Sequence, residues 1–174
     1  TAYYGVDVSS FETPADEEVK RLRSRWGCNE KTLLFGTVAR LVPQKGLDVM
    51  IKSFAKYSEE TKEEVRLVLV GQGPLEGELK SLSRVLGIQE RITWAGFRED
   101  IPQVMKAFDV FVLTSVYEGF GLVLLEAMAA KRPIIASSVS AIPEIVSHEH
   151  DGLLVQPGNV LQVASAFAAM ENET

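Results

Sequence analysis

Four charged residues have types and spacings that could do chemistry. Arg40 and Lys45 stand five apart in "ARLVPQKG", on either side of a Pro-containing loop. Two cations there, with no acid between them, suit a diphosphate, although two solvated surface cations would read the same way. Arginine can take two phosphate oxygens with its planar fork, and lysine adds a point charge. Glu118 and Glu126 lie in "SVYEGFGLVLLEAMAAKRP", where Glu126 interrupts an otherwise apolar run from Leu122 to Ala130. A carboxylate is seldom buried without a partner. The partner here is Arg40 or Lys45, or else the two neighbouring hydroxyls of a ribose. Glu118 precedes the Gly-Phe-Gly turn, where the other end of a sugar nucleotide would lie. Gly119 and Gly121 allow the backbone to approach a ligand closely. The helix that follows aims its free N–H groups and positive dipole end at the same loop, which makes an anion site of backbone.

The elements that must position these residues alternate. "TLLFGTVA" (32–39), "VRLVLVG" (65–71), "RITWAG", "DVFVLTS" (109–115), "PIIASS" and "GLLVQP" read as strands. The helices between and around them are "LDVMIKSFAKYSEE", "PLEGELKSLSRVLG", 101–108, the segment after Gly121, "AIPEIVSH" and "NVLQVASAFAAM". The first of these places Leu47, Met50, Ile51 and Phe54 on one face. The near-continuous apolar run of "VRLVLVG" suggests a strand covered on both sides. Such alternation predicts an α/β, Rossmann-like parallel sheet of about six strands with helices on both faces. Ligands of these sheets bind beyond the carboxyl ends of the strands, where the strand order switches. All four charged residues lie in or just after loops of that kind. "ADEEVKRLRSRW" reads as a charged helix, and residues 1–13 read as a linker remnant ahead of a domain over 14–174.

Composition narrows the possibilities. A net charge of −6 argues against a nucleic-acid partner. The single cysteine, Cys28, excludes an internal disulfide and points to a reducing compartment. "GQGPLEG" resembles a dinucleotide fingerprint, but its last glycine is displaced by one position and Pro74 removes a donor from the helix start. A tight turn is the plainer reading. His148-Glu149-His150 lacks a third ligand cluster and reads as a polar loop. The basic "KRLRSRW" reads as a solvated helix face rather than a membrane contact. No nucleophile elbow or Walker loop is present, and no D-x-D pair suggests a metal carrying a diphosphate.

"EGFGLVLLEAMA" resembles the signature of the group 1 retaining glycosyltransferases of GT-B fold. "GVD", "GTVARLVPQKGLDVMIKSFA", "LVLVGQGP", "ITWAGF", "DVFVLTS", "IPEIV" and "DGLLVQP" are similar to further family blocks, in family order. The resemblance covers nearly the whole chain and implies one half of a GT-B fold, the donor-binding C-terminal domain. It implies that Arg40 and Lys45 hold the donor diphosphate, Glu126 accepts from ribose hydroxyls and Glu118 contacts the transferred sugar. The backbone of Phe120 and Gly121, following Gly119, would face the sugar, and that of Leu122 and Val123 the phosphates. The backbone of Phe97 and Arg98 would lie beside the base. Of these, Arg40, Lys45 and Glu118 would also act in catalysis.

The implied activity is metal-independent, retaining transfer of a hexose-type sugar from a UDP-, GDP- or ADP-linked donor, with no cofactor. The acceptor, a glycan or lipid, would be held by an N-terminal domain that this chain lacks. The implied setting is cytoplasmic, with membrane contact only peripheral. The competing readings are a non-catalytic nucleotide-binding module of the same fold and, further off, a dinucleotide-binding oxidoreductase domain. Two positions depart from the family pattern. Lys131 stands where glycine is usual after the signature helix, and Ser140-Ala141 replace a glycine pair before "IPE".

Overall fold

A computed structural model describes residues 5–12 and 14–171. Six strands form one sheet: β1 (Leu33–Val38), β2 (Val65–Val70), β3 (Ile92–Gly96), β4 (Val110–Leu113), β5 (Ile134–Ser137) and β6 (Gly152–Val155). Their order is β3-β2-β1-β4-β5-β6, and every pairing is parallel. Eight helices accompany them among the described residues: α1 (Ser9–Glu12), α2 (Asp16–Arg25), α3 (Leu47–Glu60), α4 (Glu76–Val85), α5 (Ile101–Ala107), α6 (Leu122–Ala129), α7 (Ile142–Ile145) and α8 (Val160–Glu171). The expected alternation is therefore what forms. Pro74 lies in the turn ahead of α4 rather than inside its first turn.

The two faces of the sheet carry separate cores, because successive strand residues point to opposite sides. One core joins Phe35, Leu67, Leu69 and Val112 to Met50 and Phe54 of α3, Leu79 of α4 and Phe167 of α8. The other joins Leu34, Val68, Phe111 and Ala136 to Leu22 of α2, Met105 of α5, and Leu124 and Ala127 of α6. Phe35 sits among Phe54, Tyr57 and Phe167, with its nearest ring, Phe167, 4.6 Å away edge-on. On the other face Gly36 is a packing requirement, since a Cβ there would lie 2.1 Å from the Phe108 ring.

The segment read as a linker contains one helical turn, α1, whose Phe11 is buried in the second core. Lys106 Nζ of α5 donates to the Glu12 carbonyl at 3.2 Å. An isolated phenylalanine among polar residues has no period to betray its burial. The strand order has its switch between β1 and β4, so α3 and α6 leave adjacent strands toward opposite faces.

Three helices end in the same way. After α2, α4 and α6 the next-but-one residue is left-handed, at Gly27 (φ 76°), Gly87 (φ 70°) and Lys131 (φ 57°). At α6 the Lys131 N–H donates to the Met128 carbonyl and the Arg132 N–H to the Ala127 carbonyl, at 2.9 Å each. That double bond pattern closes orphan carbonyls but wants a residue without Cβ. Lys131 occupies the site at a steric cost of roughly 1 kcal/mol. Replacement by glycine relieves that cost and loosens the unfolded chain. Lys131→Gly is expected to raise the melting temperature by up to about 4 °C. A calorimetric scan showing no rise would mean that the lysine side chain repays its strain.

Candidate functional site

The loops after β1 and β4 run side by side and are fastened to each other. The Val116 N–H donates to the Gln44 carbonyl at 2.9 Å, and Gln44 Nε2 donates to the Tyr117 carbonyl at 3.0 Å. Thr114 Oγ1 donates to the Gly46 carbonyl at 2.9 Å. Gly46 is required at that contact, because it is left-handed (φ 56°) and a Cβ would lie 2.2 Å from the Thr114 carbonyl oxygen. The fastening brings Lys45 onto Glu118, with Nζ 2.5 Å from Oε1. No acid lies between the two cations in the sequence, but the fold brings one beside Lys45 from the neighbouring loop. The sequence could not show this, since the two residues are 73 positions apart.

Glu118 is the more buried of the two glutamates, at 6% exposure. Its Oε1 also accepts from Ser115 Oγ at 2.6 Å, and its N–H donates to Ser140 Oγ at 3.4 Å. Ser115 carries no signal of its own in the sequence, and Ser140 stands out there only as part of the Ser140-Ala141 departure from a glycine pair. Ser140 takes a left-handed conformation (φ 50°), as the glycine usual in that stretch could without strain. In exchange its hydroxyl supports the backbone of Glu118.

Of the two alternatives for Glu126, the cation partner is not found: it pairs with neither Arg40 nor Lys45. Among the described residues its carboxylate has no hydrogen-bond or ion-pair partner. It is half-buried rather than enclosed, facing an open cleft of about 580 Å³. Burial alone pushes its pKa above the usual carboxylate range. Arg40, Phe97, Arg98 and Ile101 line the same cleft, together with Gly71 and Gln72. Arg40 is exposed, and its guanidinium has no partner among the described residues. Arg98 is held by a two-point pair with Asp100, which raises Arg98 and holds the Asp100 carboxyl below its ordinary value. Phe97 is 66% exposed at the rim.

The start of "GQGPLEG", Gly71 and Gln72, lines this cleft. A Cβ on Gly71 would lie 2.0 Å from the Ala39 carbonyl oxygen, and one on Gly73 would lie 2.4 Å from that of Leu41. The Leu41 N–H donates to the Gln72 carbonyl, and the Leu75 N–H donates back to the Leu41 carbonyl, at 3.1 Å each. Backbone packing accounts for both glycines, in keeping with the tight-turn reading. Gly121 is left-handed (φ 75°) and starts α6 without a side-chain cap, so the first N–H groups at Leu122 and Val123 face the loop uncapped. A Cβ at Gly119 would meet nothing among the described residues, so no contact with them demands glycine there.

The decoys resolve locally. His148 Nδ1 accepts from the Leu154 N–H at 3.0 Å, while His150 Nδ1 lies 3.0 Å from Asp151. Among the described residues no group of three His, Cys, Asp or Glu could hold a metal ion. No described helix is long and apolar enough to cross a membrane.

A comparison with protein families matches residues 18–174 to the family described as glycosyl transferases group 1. An uncharacterized glycosyltransferase of Methanocaldococcus jannaschii is 38% identical over 167 residues, covering 93% of this chain and 42% of that protein. The crystal structure of Anabaena HepE in complex with UDP and glucose superposes with a TM-score of 0.89 at 29% identity, covering 98% of this chain and 46% of that one. The crystallised C-terminal domain of a group 1 glycosyl transferase (LpcC) of Francisella tularensis gives a TM-score of 0.83 at 28% identity, covering 97% and 88%. The chain thus spans less than half the length of the first two.

The unpartnered Glu126 carboxylate makes the empty site sensitive to pH. Its raised pKa means that the folded chain holds this proton more tightly than the unfolded chain does. Ionisation therefore costs stability as pH rises through the shifted value, and the cost is absent below the unfolded carboxylate range. Glu126→Gln is expected to melt at a higher temperature than the parent near pH 7. The difference should shrink toward zero as the pH falls below about 4. A variant that melts lower at neutral pH would show that the carboxylate has a favourable partner after all.

Proposed function

The chain belongs to the group 1 glycosyl transferases, and from that premise we propose that it is the donor-binding domain of a retaining enzyme that transfers a hexose from a nucleoside diphosphate sugar. The observation that carries this reading is the convergence of Arg40, Glu126, Phe97 and Arg98 on one cleft, next to the fastened loops of Lys45 and Glu118. The unpartnered Glu126 carboxylate suits a pair of ribose hydroxyls, which would supply the donors it lacks. The base would lie toward Phe97 and Arg98. That HepE was crystallised with UDP and glucose supports a ligand of this class.

The electrostatics suit departure of a diphosphate. Breaking the bond to the sugar develops negative charge on the leaving phosphate. Arg40, two remaining Lys45 N–H donors and the uncapped start of α6 can meet that charge from fixed positions. Lysine has three donors and Glu118 takes one, so the pair need not break for Lys45 to serve a phosphate. Glu118 would accept from a hydroxyl of the sugar. We place the acceptor, a glycan or lipid, against a part of the enzyme outside this chain, which covers under half of the relatives' length. On this reading the isolated chain binds donor and transfers nothing, since neither acceptor positioning nor water exclusion is complete.

Titration of the chain with UDP, GDP and ADP and their hexose conjugates tests the site. One nucleotide series should bind, and Arg40→Ala should weaken it by roughly 10- to 100-fold, the worth of a charge-assisted hydrogen bond. Glu126→Ala should weaken the same series while leaving the fold intact by circular dichroism. Equal affinity in the parent and both variants would remove the assignment. Efficient sugar transfer by the isolated chain would overturn the division of labour.

A further inference from the structure

The two oxygens of Glu118 are not equivalent. Oε1 is saturated, accepting from Lys45 Nζ at 2.5 Å and from Ser115 Oγ at 2.6 Å. Oε2 has no partner among the described residues, although the residue is 6% exposed. A carboxylate bonded through one oxygen from two sides has lost its freedom to turn. Its second oxygen is then presented in one direction. Lys45 cannot do this alone, because a flexible ammonium can follow a turning carboxylate. The Ser115 hydroxyl can, because Ser115 is fully buried at the end of β4 and sits on a short, stiff side chain.

We propose that Ser115 is a positioning residue for sugar recognition: it fixes Oε1 of Glu118 so that Oε2 is offered to a hydroxyl of the transferred sugar. This rests on the donor-site reading above. Ser115 touches no part of the ligand, and its effect on the sugar runs wholly through Glu118. Removing the hydroxyl leaves Oε1 held only by Lys45, and the carboxylate then samples orientations that do not face the sugar. The nucleotide half of the ligand, held from Arg40, Glu126 and the two Lys45 donors that Glu118 leaves free, does not need the Ser115 hydroxyl. The consequence is confined to the affinity that the sugar adds.

The test is calorimetric titration of the chain with UDP, UDP-glucose and UDP-galactose, and likewise GDP with GDP-mannose and ADP with ADP-glucose. In the parent, the conjugate should bind more tightly than its bare nucleotide. In Ser115→Ala that ratio should fall by about tenfold, the lower end of the range for one charged hydrogen bond. Ser115→Thr, which keeps the hydroxyl, should restore it. A merely structural role would weaken nucleotide and conjugate together, and such a uniform loss overturns the proposal. So does an unchanged ratio, or a parent that binds a nucleotide without preferring any conjugate. If no member of the panel binds the parent, the donor-site reading itself fails, which is a distinct result. Should Ser115→Thr not fold, the ratio in Ser115→Ala, with melting curves to show that it is folded, decides the matter.

Discussion

Helices α3 and α6 depart from neighbouring strands to opposite faces of the sheet, and the rest of the site follows from that parting. A parallel sheet must be covered on both sides, so its crossovers have to divide between the faces. Where they divide, two strand ends stand together with no helix crossing over them. Here the gap is only partly filled. The loops of Gln44 and Val116 close against each other, and the glycine turn of Gly71 and Gly73 closes on the β1 loop. The cleft beside this junction is lined from the ends of β1, β2 and β3, together with Ile101 of α5 and Glu126 of α6.

Backbone geometry sets the precision of this arrangement. Gly46, Gly71 and Gly73 each bring a carbonyl within about 2.5 Å of where a Cβ would be, so these loops cannot separate or slide without losing their contacts. Charged side chains placed on such loops inherit their rigidity. Lys45 meets Glu118 because the backbone beneath them is already fixed, and the ion pair adds to a junction that hydrogen bonds have made. A partly buried pair of this kind is weak evidence of stability in itself. Its place here is as one of two contacts, with the Ser115 hydroxyl, on the same oxygen of the Glu118 carboxylate.

Much of this was legible in the sequence, for identifiable reasons. The alternation from Leu33 onward gave the sheet, since strand and helix periods differ strongly and each apolar run was flanked by turn residues. Strand-end position then pointed to Arg40, Lys45, Glu118 and Glu126 without reference to any contact between them. What could not be read was which charge meets which. Glu126 looked like the residue in need of a cation because its neighbours in sequence are apolar, yet Glu118, beside exposed Tyr117, is the one that has one. Pairings over such separations depend on loop register, which local pattern does not encode. Ser115 was invisible for another reason: a serine acquires a role only from the partner it happens to face. Lys131 was marked in the sequence only as a departure from the glycine usual after the signature helix, and the structure finds it left-handed.

The unpartnered state of Arg40 has a kinetic meaning. The chain carries a net charge of −6, so a diphosphate approaching from solution is repelled on average. Lys45 is screened by the carboxylate it touches and offers little attraction at a distance. Arg40, exposed and uncommitted, is the cation whose field reaches out of the cleft. On the proposed donor-site reading, capture of a diphosphate and its retention would be divided between two side chains five residues apart. The first encounter would fall to Arg40 and weaken with added salt, since its field extends through screened solvent. Residence would fall to the less exposed Lys45, whose short-range contact is shielded from that screening.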